Sequence, residues 1–185
     1  TGMIEVELPS LLASHLSQYA QGNSIGFVTA NNETQRKITQ IYNDRYFDGQ
    51  MKIVWANTWS EFKEGFLKLQ DETDIVLVSN NAGIIDWDEA EATAFFTENT
   101  RVPTGSVYAW MAPYTLMVLG VMPKEQGQWA GETALKVLGG TSVSEISITE
   151  NKRGNLILNL DIAEQLDVVF TPSLLRNAQI YSGSH

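Results

Sequence analysis

Ile25-Gly26-Phe27-Val28-Thr29, followed by Ala30-Asn31-Asn32-Glu33-Thr34, is the unit that decides the fold class. Residues 25–29 are a short, mostly apolar run without polar alternation, the pattern of a strand buried on both faces. Asn31 to Thr34 then supply a turn and a helix start. Ile38, Ile41, Tyr42 and Tyr46 follow at helical spacing and are expected to form that helix's buried stripe.

The same alternation runs outward in both directions. Downstream, residues 51–56 read as a strand, and Trp59, Phe62, Phe66 and Leu69 mark a helix capped by Thr58 or Ser60. Residues 74–78 form a third strand, and Asp86-Trp87-Asp88-Glu89 leads into a helix ending near Asn99. Residues 102–108, entered through Pro103, and residues 116–121 are two more apolar runs. Pro123 opens a long helix that reaches Leu138, where Gly139-Gly140 stops it. Residues 146–149 and 156–160 read as strands, and residues 162–166 and 173–177 as short helices. Upstream, Leu8, Leu11, Leu12, Leu16 and Tyr19 mark a helix stopped by Gln21-Gly22-Asn23. Buried strands alternating with helices imply an α/β fold, a doubly wound and mostly parallel sheet with helices on both faces.

Composition narrows what such a domain can do. The 185 residues carry a formal net charge of −10, which opposes binding to nucleic acid or an anionic membrane surface. No cysteine is present, which excludes disulfides and thiol chemistry and fits an oxidising compartment. No apolar run approaches the roughly 20 residues of a membrane span.

The sequence lacks the marks of a catalyst. It has no G-x-S-x-G elbow, P-loop or H-E-x-x-H motif, and no dinucleotide fingerprint. His15 reads as a packing or surface residue of the first helix, and His185 belongs to a Ser182-Gly183-Ser184-His185 stretch that reads as a vector-derived tail. Asp86, Asp88, Glu89 and Glu91 are better explained by a helix N-terminus than by a metal. Trp55 and Trp59 read as core. The expectation is a non-enzymatic domain with no catalytic residue, metal or cofactor.

Ligands of doubly wound sheets bind beyond the carboxyl ends of the strands. That rule selects the loops at residues 30–34, 79–87 and 109–114. They hold Asn31, Asn32, Glu33 and Thr34, then Ser79, Asn80 and Asn81, and then, with Tyr108, the residues Trp110, Met111 and Tyr114. Amides read small polar groups as donor and acceptor, and aromatic walls supply contact area. These are the expected ligand-binding residues. An isolated cleft face carrying Trp110 and Tyr114 would also favour a homodimer.

The C-terminal part carries a family signature. Ala134-Leu135-Lys136-Val137-Leu138-Gly139-Gly140 is followed by Ser144-Glu145-Ile146. Asn159-Leu160-Asp161-Ile162-Ala163-Glu164-Gln165-Leu166 and Thr171-Pro172-Ser173-Leu174-Leu175-Arg176-Asn177-Ala178 complete it. These stretches resemble the end of the ABC-transporter substrate-binding family that includes tryptophan- and tyrosine-binding lipoproteins. The resemblance implies a type 1 periplasmic binding protein fold: two doubly wound lobes holding a small ligand, often an amino acid, in the cleft between them. It further implies that residues 1–181 are the later lobe with its return segment, that an ABC permease is the partner, and that the protein works in the periplasm or another extracytoplasmic space, tethered to the membrane. A ligand-sensing domain of a membrane receptor, coupled to a signalling module, is the alternative. Asn31 and Glu33 match the family's Asn-Pro-x-Glu loop. Asn32 stands for its proline, and Gln35-Arg36 occupy its later polar positions.

Overall fold

The computed structural model describes residues 1–183, so Ser184 and His185 of the suspected tail lie outside the described residues. Its elements, in chain order, are β1 (Gly2–Ile4), α1 (Pro9–Leu16), β2 (Ile25–Ala30), α2 (Glu33–Tyr46), β3 (Lys52–Ala56), α3 (Trp59–Glu72), β4 (Ile75–Val78), α4 (Glu89–Asn99), β5 (Thr104–Ser106), β6 (Met117–Val121), α5 (Pro123–Leu138), β7 (Ile148–Glu150), β8 (Gly154–Asn159), α6 (Leu160–Gln165), α7 (Pro172–Asn177) and β9 (Gln179–Tyr181). A 3₁₀ turn, Ala109–Tyr114, joins β5 to β6.

Seven strands form the main sheet in the order β3-β2-β4-β5-β6-β8-β9. All neighbours are parallel except β6 and β8. The expected doubly wound, mostly parallel sheet is therefore present. β2 starts between β3 and β4, so the winding reverses at the β2–β4 boundary. The ends of the helices follow their local chemistry. Asn32, Thr58 and Asp88 cap α2, α3 and α4 by accepting the N–H of Gln35, Glu61 and Glu91.

Helices cover both faces. α1 and α2 lie on one, where the Phe27 and Tyr42 rings meet edge to face at 6.2 Å. α3 lies on the other and packs against β2, β3 and β4. On that side Trp59, Phe62, Phe66, Trp87, Phe95, Phe96 and Tyr114 interlock, with Phe66–Phe96 at 4.8 Å and Trp87–Tyr114 at 5.2 Å. Such pairs each contribute about 0.5–1.5 kcal/mol beyond area burial.

Several expectations shift. Strand 102–108 contracts to Thr104–Ser106: Pro103 has no N–H to give a ladder, and residues 109–114 coil into the 3₁₀ turn. α1 ends at Leu16, before Gln21-Gly22-Asn23. Strands β1 and β9 have no counterpart in the sequence reading. On α2 the buried face is Gln35, Thr39 and Tyr42, while Ile41 is exposed. Ile38 and Tyr46 pack against the core beside this face as expected, and two of the face's buried positions are polar, which counting apolar residues alone does not reveal.

β1 and β7 pair only with each other, as a parallel two-stranded sheet. α5 accompanies them and, of its 16 residues, buries only Thr133. Ile4, Leu135, Leu138, Val143 and Ile148 leave an apolar surface exposed here.

Phe96 is fully buried at the centre of the aromatic cluster. Phe96→Ala is expected to cost about 3–5 kcal/mol, read as a lowered urea midpoint at unchanged m-value. A loss under about 1 kcal/mol would mean that the cluster does not hold α3 and α4 to the sheet.

Candidate substrate-binding face

The β2–β4 boundary delivers two loops to one edge of the sheet. Gln35, on the first turn of α2, turns inward and is buried. Its Oε1 accepts from the Thr29 hydroxyl at 3.0 Å and from the Ser79 hydroxyl at 2.7 Å. One carbonyl oxygen thus ties α2 to the ends of β2 and β4. The Asn80 side chain accepts the Ala82 N–H at 2.9 Å, turning the loop after β4. Asn32 reaches across to that loop, donating to the Ala82 carbonyl at 3.4 Å. Gly83, at φ +96°, lies under the Asn32 amide, where a Cβ would come within 3.1 Å.

Tyr108 joins from the end of β5. Its hydroxyl lies near the Asn80, Gln35 and Tyr42 side chains, which offset part of the pKa rise that burial causes. The Trp110 ring stacks on the Tyr108 ring at 4.9 Å and 29°, yet is itself 58% exposed. It is an exposed aromatic platform resting on the Tyr108 ring.

The expected site residues divide. Asn32, Ser79, Asn80, Tyr108 and Trp110 come together here. Asn31 faces Arg36, accepting its guanidinium at 2.5 and 2.9 Å, and that guanidinium lies 4.9 Å over Trp55. Glu33 pairs with Lys37 in solvent, and Thr34 is exposed. Asn81 offers its carbonyl to the Ile84 N–H within the turn. Met111 is fully buried and Tyr114 is 4% exposed inside the aromatic cluster, because the 3₁₀ turn points them at the core. Tyr114 therefore cannot form part of an exposed cleft face, and the dimer expectation built on it loses that support. Trp59 is buried as expected, and Trp55 is half-buried.

The sequence reading did not place Gln35, Tyr42 or Glu7 in the site. Gln35 had a signal in the polar position after the Asn-x-Glu loop. Tyr42 read as core, and Glu7 carried none. The Tyr42 hydroxyl is buried without a hydrogen-bond partner among the described residues, and the Tyr108 hydroxyl and Glu7 carboxylate face it. A cavity of about 10 Å³ beside it, lined by Ser79, Ser106 and Tyr108 among others, has room for about one water. This edge is thus an open face, not an enclosed pocket. A larger cavity, about 510 Å³, sits at the opposite edge, where strands begin. Its polar groups satisfy one another: Asp74 accepts from Ser24, Asp71 pairs with Arg101, and Gln70 bonds the Asn99 and Arg101 backbone.

With this geometry in place, comparison with known proteins locates the chain. The model of the family described as ABC transporter substrate binding protein matches residues 73–181, more than half of the chain. The chain belongs to that family. No curated protein matches it. Three solved structures share its fold. The ligand-free, open form of CD0873, a substrate binding protein with adhesive properties from Clostridium difficile, is 20% identical at a TM-score of 0.67, over 98% of this chain and 61% of that one. The ABC domain from Streptococcus pneumonia, solved in complex with L-Trp, is 16% identical at 0.56, over 98% and 64%. A conserved domain protein from Vibrio cholerae is 14% identical at 0.58, over 98% and 62%. This family member therefore spans less than two thirds of the length of each of these proteins. No described helix is long and apolar enough to cross a membrane.

Burial, then Tyr108 and Glu7, raises the Tyr42 hydroxyl above its ordinary pKa of 10.0. Burial, then Glu7, also raises Tyr108. A folded-state pKa above the unfolded one adds stability that is complete below about pH 10 and lost as pH rises further. The urea midpoint should therefore fall above about pH 10, and Tyr42→Phe should flatten that fall. Equal slopes in both proteins would remove Tyr42 from the network.

Proposed function

We propose that the carboxyl edge of β2, β4 and β5 is one half of a cleft for a small polar or aromatic solute, amino-acid-like in chemistry, and that the chain serves ABC-type uptake outside the cytoplasm. The observation that carries this is the exposed Trp110 ring stacked on Tyr108, near the Asn80 and Gln35 side chains at the point where the sheet winding reverses. A flat aromatic surface beside fixed amide and hydroxyl groups binds a planar or apolar body and reads its polar end. The L-Trp bound to the Streptococcus domain makes an aromatic amino acid the first candidate.

Residues 1–181 are, in this reading, one lobe with its return segment. An open half-site and an uncovered apolar layer at β1, β7 and α5 both fit a second lobe that would cover them. An ABC permease would take the solute from the closed protein.

Isothermal titration of this chain joined to its partner lobe, against the free amino acids, tests the reading. One of them should bind, and Trp110→Ala should weaken that binding about tenfold, the value of one lost ring contact. If no amino acid binds, or if Trp110→Ala leaves affinity unchanged, the assignment of this face fails.

A further inference from the structure

The Tyr42 side chain is 5% exposed, and its hydroxyl is buried without a hydrogen-bond partner among the described residues. Such a group has given up its bonds to water and gained nothing in return, which is costly. The same residue lines a cavity of about 10 Å³ between α1, α2 and the carboxyl ends of β4 and β5. Leu12, Phe27 and Tyr108 form part of its wall, and Ser79 and Ser106 bring two further hydroxyls to it.

A wholly apolar hole of this size stays dry, but one with several polar partners takes a water. The hydroxyls here have capacity to spare. Ser79, which is buried, gives its proton to the Gln35 Oε1 at 2.7 Å and keeps its oxygen lone pairs. Ser106, also buried, accepts the Tyr108 N–H at 3.3 Å, and its own proton meets no acceptor among the described residues. Around a space the size of about one water there are thus two protons to give, from Tyr42 and Ser106, and one oxygen to accept, on Ser79. That is the set of about three bonds typical of a buried water.

We propose that this cavity is a binding site for a single water molecule, which accepts from Tyr42 and Ser106 and donates to Ser79. It joins three elements at one point: α2, the last residue of β5 and the residue after β4. By taking the Ser106 proton, the water leaves a Ser106 lone pair turned to the Tyr108 N–H, at the entry to the 3₁₀ turn that carries Trp110. The site does not rest on the solute reading. It is lined by buried hydroxyls and not by the exposed Trp110 ring, and its test contains no solute.

The test is a pair of crystal structures, of this chain and of its Tyr42→Phe variant, with magnetic relaxation dispersion of the solvent measured for both in solution. The unaltered chain should show one water peak within about 2.6–3.2 Å of the Tyr42, Ser79 and Ser106 hydroxyl oxygens. Tyr42→Phe should lose that peak, and its dispersion amplitude should fall by one long-lived water. Three results overturn the proposal: a dry cavity in the unaltered chain, a Tyr42 hydroxyl bonded directly to a protein group, or a dispersion amplitude that Tyr42→Phe leaves unchanged. Should Tyr42→Phe fail to fold, the unaltered chain decides alone, by the presence or absence of the peak. A chain that binds no amino acid by titration but shows this peak loses its solute reading and keeps its water site.

Discussion

β2 and β4 lie side by side and parallel, buried on both faces, and most of the molecule follows from keeping those faces dry. Parallel strands need crossovers, so each strand end is followed by a helix returning over one face or the other. The helices come close. A Cβ at Gly105 would lie 2.7 Å from Leu16 of α1, and one at Gly26 2.7 Å from the Thr73 hydroxyl. Because the strands share a direction, their carboxyl ends open on one side. Because the winding reverses between β2 and β4, the loops there diverge and leave an opening at the sheet edge.

What stands at that opening is a network with few loose ends. The Gln35 carbonyl oxygen takes two hydroxyl donors, from Thr29 on β2 and from Ser79 just past β4. Buried polar groups are costly unless paired, so this pairing fixes the loops as firmly as apolar packing would. The stacked Trp110 ring is the part left over, large, apolar and in water. The much larger cavity at the opposite edge lacks that property, since its charged groups already have partners: Asp71 pairs with Arg101 and Asp74 accepts from Ser24.

The second layer obeys a different logic. α5 is held by β1 and by the Glu125 and Gln126 contacts, and it shows Leu135 and Leu138 to solvent. A helix of this length with one buried residue gains little from packing. Its attachment to the main sheet is polar, through Asn151 and Glu125. Polar, side-chain-mediated joints between layers yield more readily than interdigitated cores.

The fold class was legible in the one-dimensional pattern. Runs such as residues 25–29 and 74–78 are too short for helices and apolar on both faces, and the helices between them carry caps that sit where Asn32, Thr58 and Asp88 stand. The site was legible to the extent that loop positions follow strand ends: Asn32, Ser79, Asn80, Tyr108 and Trp110 meet there. Met111 and Tyr114 did not, because a 3₁₀ turn rotates successive residues by about a third of a circle and sends these two inward. Gln35, Tyr42 and Glu7 were out of reach for the same kind of reason. Sequence determines which residues a strand or helix exposes along its own axis, through a period of 2 or 3.6. Which side chains of different elements face one another is decided only when the sheet order brings residue 35 beside residue 79, and residue 151 beside residue 6. That order is set by the joint burial of all the elements, not by any one of them.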